Sequence, residues 1–328
     1  MAERPLLAHG IGGEMLAYLL IRAFRWATGL LLIMFLTYTM MYYGAGDPVK
    51  RMFLDTSDIG VDALTLERIR ERYGLNDPLL QQFGNYLNRL AHGDLGTSIR
   101  EQRPVADMVR ATLPISLQLG AAATVISTLF GVPLGVLAAL RHNRRTDFTI
   151  VGIVVVSNAV PVFVTGPLLM LLLVVVLDLM AVPWGWNGLF STTAILPVIV
   201  LALGPLPIIV RQTRAAVLEV IHEEYIRTAR AKGLPEFQVV TRHMLRPVLT
   251  PVATSVGLVL VTLINGAIFV EFIFGIPGFG GLTLEGLQQV DYPVIMATVV
   301  IGALIVMVGN FLVDLLYPLL DPRITDRR

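Results

Sequence analysis

Residues 223–247 read EEYIRTARAKGLPEFQVVTRHMLRP. This stretch is polar in a chain that is otherwise mostly apolar. It holds no metal-ligand cluster and no nucleophile, but its residues spell two short helices folded about a glycine. Glu223 and Glu224 suit the first turn of a helix, where the macrodipole favours anions, and Lys232 suits the last turn, where it favours cations. Gly233 fits the left-handed residue that closes such a helix. Pro235 fits the first position of the next helix, with Glu236 in its first turn. Ala229, Ala231 and Gly233 keep the turn small, so that a cleft of another protein could approach the backbone; Tyr225, Leu234 and Phe237 supply apolar contacts. Two readings stand on these residues alone: a solvated loop, or a docking surface through which the chain is driven.

The surroundings set the class. The chain has 328 residues, 55% hydrophobic and 15% charged, with a formal net charge of +1 and a mean hydropathy of +0.71. A soluble domain is about one quarter charged. Six apolar runs, at 26–43, 115–140, 148–177, 192–210, 252–274 and 294–316, reach the length of about 18 residues that crosses a bilayer as a helix. The expected fold is an all-α polytopic membrane protein with six transmembrane helices. The first run exceeds the apolar region of a cleaved signal, usually about 7–15 residues, and Tyr43 spoils a small-residue cleavage site, so it reads as a retained anchor. With no cysteine in the chain, disulfides, thiolate catalysis and cysteine metal sites are excluded.

Short loops orient the spans, because Lys and Arg accumulate on the cytoplasmic side. Arg22 and Arg25 precede the first run, and Arg141, Arg144 and Arg145 fill the loop after the second. Seven more, from Arg211 to Arg246, lie between the fourth and fifth, and Arg323, Arg327 and Arg328 follow the sixth. The loops at 178–191 and 275–293 contain none. Both termini are therefore expected in the cytoplasm. The division that follows is a cytoplasmic stretch 1–25, a first transmembrane helix 26–43, an extracytoplasmic segment 44–112 and a core 113–328. That core would hold five transmembrane helices and a cytoplasmic loop at 211–250. Within the outer segment, 64–73 and 78–90 have helical spacing, with Gly74 as a stop between them; they read as a cap, or as a lid over a solute path.

Helix breakers and amides mark the spans. Pro133, Pro161, Pro167, Pro205 and Pro207 each remove a backbone hydrogen bond and favour a kink. Asn158, Asn265 and Asn310 carry amides that either join packed helices or line a polar path. Glu271, beside Gly275, Pro277, Gly278, Gly280 and Gly281, either anchors a re-entrant glycine loop or contacts the solute as a gate. Asn158, Pro161, Asn265 and Glu271 are the candidates for a pathway or gate. No nucleophile–base pair or metal set lies within the spans.

The segment IRTARAKGL, 226–234, resembles the cytoplasmic "EAA" signature of binding-protein-dependent ABC importer permeases. Arg227 and Thr228 stand where the generic pattern has Glu and Ala, but EYIRTARAKGL is the form usual in the dipeptide/oligopeptide/nickel branch. YGLNDPLLQQFGNYLNRLAHGDLGTS at 73–98 resembles the outer segment of that branch's B-type permease. EFIFGIPGFGGL at 271–282 resembles its E-x-IF-x-x-PG-x-G loop, and VDLLYPLLDPRI at 313–324 its C-terminal signature. Four motifs in register identify the chain as a member of this family.

The resemblance implies the ABC type I importer permease fold in a bacterial-type plasma (inner) membrane, crossed several times. The chain would be a non-catalytic subunit forming half of a translocation pathway, with a second homologous C-type permease as the other half. Cytoplasmic ABC ATPase subunits, as two chains or one fused chain, would carry ATP and Mg, since this chain has no phosphate-binding glycine loop with Lys-Ser/Thr. An extracytoplasmic solute-binding protein would deliver the solute, a peptide by the commoner implication and a nickel chelate or another small solute by the alternative. No cofactor on the chain itself and no nucleic-acid partner are expected. The residues implied to couple to the ATPases are Glu224, Tyr225, Arg227, Ala229, Arg230, Lys232, Gly233 and Leu234. Two other classes are weighed against this: an ion-coupled secondary transporter, which favours carboxylates at mid-membrane and matching repeats, and an intramembrane enzyme. Neither feature set is present in the spans.

Overall fold

The computed structural model describes residues 11–44, 46, 49 and 63–320, with side chains except at 11–19, 63, 65, 72, 264–266 and 315–320. The basic residues Arg323, Arg327 and Arg328, the end of the 313–324 motif, most of 45–62 and the Asn265 side chain lie outside what is described.

Among the described residues the chain is helical, with one isolated antiparallel bridge, Thr97 to Pro104. In order the helices are α1 (Ile11–Gly44), α2 (Ala63–Tyr73), α3 (Leu79–Ala91), α4 (Val105–Leu140), α5 (Arg145–Ala159) and α6 (Val162–Met170), which continues as a π-helical turn, Leu171–Val176. Then come α7 (Thr192–Leu203), α8 (Leu206–Val220), α9 (Glu224–Ala231) and α10 (Glu236–Gln238). A second π-helical turn, Val239–Met244, leads into α11 (Leu245–Gly266), followed by α12 (Ile268–Phe274), α13 (Phe279–Gln289) and α14 (Tyr292–Leu320). Four helices are long and apolar enough to cross a membrane, or up to seven spans if each of three bent pairs counts as one; the six expected lie within that range.

Two expected spans are not single rods. The run at 148–177 is α5 and α6, bent by 100°, and α7 and α8 meet at 49°. Pro161 and Pro205 stand at these breaks, where a ring without an N–H ends one helix and starts the next. Pro133 and Pro167, expected to kink their spans, lie inside continuous helices. The expected fifth span, 252–274, is corrected: α11 stops at Gly266, and residues 268–274 belong to a separate pair, α12 and α13, bent by 85°. A hydropathy pattern does not register a helix end that lies inside an apolar run.

The chain forms two compact units. In the unit of residues 1–106 and 286–307, Met34, Tyr38 and Met41 of α1, Tyr86 of α3, and Tyr292, Ile295 and Met296 of α14 share one buried cluster. Gln82 is buried with its amide satisfied: it donates to the carbonyls of Leu75 and Asp77 at 3.0 and 2.7 Å and accepts from Tyr38 at 3.0 Å. Buried Asp291 accepts from Ser98 Oγ at 2.6 Å and from the N–H groups of Ile99 and Arg100, both at 3.3 Å. The Gly-Thr-Ser end of the 73–98 motif is thereby fixed by a carboxylate almost two hundred residues away. Burial pushes the Tyr86 hydroxyl up to about 12, and that hydroxyl has no hydrogen-bond partner among the described residues.

The unit of residues 107–285 and 308–328 has its main core where α4, α7, α11 and α12 meet, around Leu119, Leu196, Val259 and Phe274. Its helices approach closely at glycines. A Cβ at Gly131 would lie 2.7 Å from Ile209 Cγ2, and one at Gly135 would lie 2.6 Å from Thr213 Cβ and 2.7 Å from the Val210 carbonyl. Glycine pairs four residues apart allow such backbone approach between helices in a bilayer.

Candidate functional site

The 223–247 stretch folds as its residues dictate, within this second unit. Glu223 takes the N-cap position of α9, Glu224 lies in the first turn, and Lys232 is the C-cap. Gly233 has φ +79. Its N–H donates to the Arg230 carbonyl at 2.9 Å, and the Leu234 N–H reaches back to the Ala229 carbonyl at 3.4 Å. This pair of bonds closes a helix through a left-handed glycine and satisfies the last carbonyls. Pro235 is the N-cap of α10, one place before its expected position.

One face of the elbow is spent on the chain itself. Ile226 is 0% exposed and Ala229 is buried with it, in a cluster that includes Val136 and Ala139 of α4, Val217 of α8, and Met244 and Val248 beyond. Full burial of an isoleucine contributes about 1.5–3 kcal/mol, so α9 is held by packing as well as by its cap. Ala229, expected on the docking surface, is thus on the inward face. The opposite face is open: Tyr225 is 44% exposed and Phe237 78%, and Glu224, Arg227, Arg230, Lys232 and Gly233 are exposed as well, with Leu234 half-buried. A Cβ at Gly233 would meet nothing within 4 Å. Arg230 forks onto Glu236 across the bend, Nε to Oε2 at 3.2 Å and Nη2 to Oε1 at 2.7 Å. Both side chains are solvated, so this pair shapes the elbow more than it stabilises it.

Glu271 is fully buried in α12. Ser116 of α4 donates to its Oε1, the Phe279 N–H donates to Ser116 Oγ at 2.7 Å, and the Gly281 N–H donates to Glu271 Oε2 at 2.8 Å. A Cβ at Gly278 would overlap the carboxylate. Gly275, at φ +63, closes α12 and underlies the Trp184 ring so tightly that a Cβ would collide with it. The glycines of the 271–282 motif therefore wrap a carboxylate, and Ser116, which sequence reading missed, completes the set.

Asn158 lies exposed beside the α5–α6 break, with Pro161 opening α6. Pro161 has no N–H for the Ser157 carbonyl, and the bend parts the N–H groups of Val162 and Phe163 from the carbonyls of Asn158 and Ala159. Neither these groups nor the Asn158 amide have a hydrogen-bond partner among the described residues. The interhelical bond that one reading gave Asn158 is thus not made among them. Asn265 lies near the end of α11, its side chain not described. Among the candidates whose side chains are described, Glu271 is enclosed, and Asn158 and Pro161 sit exposed at a helix break.

Asp147 is a further buried carboxylate that sequence reading missed. Asp147, in the first turn of α5, has a side chain 3% exposed. Arg214 of α8 grips it with both arms, Nε to Oδ1 at 2.8 Å and Nη2 to Oδ2 at 2.8 Å. The Asn143 N–H adds a bond to Oδ2 at 3.0 Å, with Asn143 at φ +59. Arg214 Nη2 also donates to His142 Nδ1 at 3.0 Å, since a guanidinium can only donate. The one available signal was a lone acid in the basic run RHNRRTD, 141–147.

Comparison with known proteins supplies context. The family described as binding-protein-dependent transport system inner membrane component matches residues 131–326, and its N-terminal companion matches residues 15–120. The oligopeptide transport system permease protein OppB of Salmonella typhimurium is 37% identical over 312 residues, 94% of this chain and 99% of that protein. The dipeptide transport system permease protein DppB of Bacillus subtilis is 37% identical over 311 residues, 94% of this chain and 98% of its own. Among solved structures, an inward-facing form of the MetNI methionine ABC transporter aligns with a TM-score of 0.56 at 18% identity, covering 65% of this chain and 96% of that one.

Proposed function

This chain belongs to the binding-protein-dependent transport system inner membrane component family, and from that membership we propose that it is a permease subunit of an ATP-driven importer of dipeptides and oligopeptides. The single observation that carries the mechanism is the α9–α10 elbow. It is packed on one face and open on the other, and Gly233 leaves room at the bend. A packed inner face can pass a push into the spans, and an open outer face can receive one.

The elbow docks on a cytoplasmic ATPase subunit, and a second homologous permease completes the pathway. An extracytoplasmic binding protein delivers the peptide, at a bacterial inner membrane in which both termini of this chain are cytoplasmic. ATP and Mg belong to the ATPases, and this chain is non-catalytic and carries no cofactor. Closure of the ATPases displaces the elbow, whose contacts must differ between the two states for any coupling to result. Glu271 anchors the glycine loop. The α5–α6 break faces the pathway, because unpaired amide and carbonyl groups at membrane depth survive only against protein or a water-filled cavity.

The test is mild extraction of the chain from its native membrane, identification of co-purifying proteins, and peptide uptake by vesicles containing the assembled complex. A second permease and ATPases that drive ATP-dependent peptide uptake are expected. Uptake of a nickel chelate in place of peptide would move the assignment to that solute. Uptake that ignores ATP but collapses with an uncoupler would overturn it in favour of an ion-coupled transporter.

A further inference from the structure

We propose that the Asp147–Arg214 ion pair is a positioning device for transport: it locks the α5–α6 span to α8 so that displacement of the α9 elbow moves both together. The inference rests on the permease reading and adds to it a pair of residues on no docking surface.

α8 leads straight into the elbow. Arg214 lies six residues before its end at Val220, about 9 Å along the axis at 1.5 Å per residue, and a three-residue turn then opens α9. At that level α8 is fastened on two sides. Against α4, Gly135 brings the helices together at Thr213 and at the backbone of Val210 and Arg214. Against α5, Ile150 and Val154 share an apolar cluster with Val210 and Leu206 of α8 and Leu134 and Ala138 of α4. Apolar contact of this kind is non-directional. The guanidinium fork is directional. Two parallel N–H···O bonds fix orientation as well as distance, and here they fix the register of α5 on α8.

The carboxylate also has a second duty. By accepting the Asn143 N–H it holds the left-handed residue of the tight turn between α4 and α5. One buried group therefore joins the end of α4, the start of α5 and the shaft of α8. Without it, α8 and the elbow can move while the bent α5–α6 span stays behind.

The experiment uses the assembled transporter in vesicles and reads peptide uptake, ATP hydrolysis and the amount of intact complex. In Asp147→Asn, which keeps the shape and the acceptor for Asn143 but removes the charge, uptake per ATP hydrolysed is expected to fall at least about tenfold, within the usual range of coupling between sites. ATP hydrolysis per complex should persist. Asp147→Asn with Arg214→Gln removes both charges, so more intact complex should be recovered than with the single variant, as removing a buried pair is milder than breaking it, but without the fork its uptake per ATP should stay low. Should the single variant not assemble, Arg214→Lys decides: it keeps the charge, loses the fork, and is expected to assemble with reduced uptake per ATP. Uptake per ATP equal to wild type in the assembled variants would overturn the proposal. So would uptake and hydrolysis falling together in proportion to the complex recovered, which marks a merely structural bond. A wild-type complex without ATP-driven uptake would instead remove the permease reading itself.

Discussion

Gly233 offers a test in which strain and bulk separate. Its φ of +79 lies in the left-handed region, where an L side chain costs about 1–2 kcal/mol while Asn is tolerated. Apart from its two chain neighbours, no described residue has an atom within 4 Å of its Cβ position. Within the chain alone, Gly233→Ala and Gly233→Trp should therefore carry the same strain and melt at similar temperatures in detergent. In the assembled transporter they should part. Strain of that size on the docked elbow predicts about a five- to thirtyfold loss of uptake for Ala. Trp adds an indole where a partner must approach, and uptake should vanish as ATPase subunits dissociate. Gly233→Asn orders the two effects: it exceeds Ala if strain dominates and falls below Ala if closeness of approach dominates. The assay is ATP-driven peptide uptake in membrane vesicles alongside the ATPase retained per permease. Wild-type uptake and retention in Gly233→Trp would refute the docking role of the elbow.

Three further outcomes are expected. Gly278→Ala drives a methyl into the Glu271 carboxylate and should lower stability by about 1–3 kcal/mol or more through overpacking; an unchanged melting temperature would contradict the enclosed geometry. Tyr86→Phe removes a buried hydroxyl without a partner, so it should leave stability unchanged or raise it by about 1 kcal/mol, and a marked loss on thermal melting would mean that the hydroxyl is bonded. Asn158→Leu should reduce peptide uptake by about three- to tenfold, the worth of one hydrogen bond; a photoreactive residue at 158 should label the peptide, and labelling of lipid alone would take Asn158 off the pathway.

Much of this was legible before any coordinates. The cap, glycine and proline of 223–247 are local signals, and the elbow formed within one residue of its reading because backbone propensities act over a few neighbours. Leu79–Ala91 after Pro78, and Gly74 as a stop, were readable for the same reason. The apolar runs located the long apolar helices, but their ends inside apolar sequence did not show: the break at Gly266 separates residues that hydropathy treats alike. Proline proved an ambiguous sign, since Pro161 ends a helix while Pro133 lies within an unbroken one.

The partners of the charged groups belonged to the tertiary structure. Glu271 stood as a loop anchor or a gate, and only the fold showed that Ser116, from another helix, and the Gly281 N–H bond its carboxylate. Arg214 counted only towards the positive-inside pattern until Asp147, 67 positions earlier, was found in its fork. Ala229 was assigned by motif to the docking side, and packing turned it inward. The amino-acid sequence by itself determined the helices, the elbow and the membrane character, because propensity, capping and hydropathy are properties of short stretches. Which face of the elbow is open, and which carboxylate is enclosed or fastens two helices, depended on contacts between distant residues, and those exist only once the chain is packed.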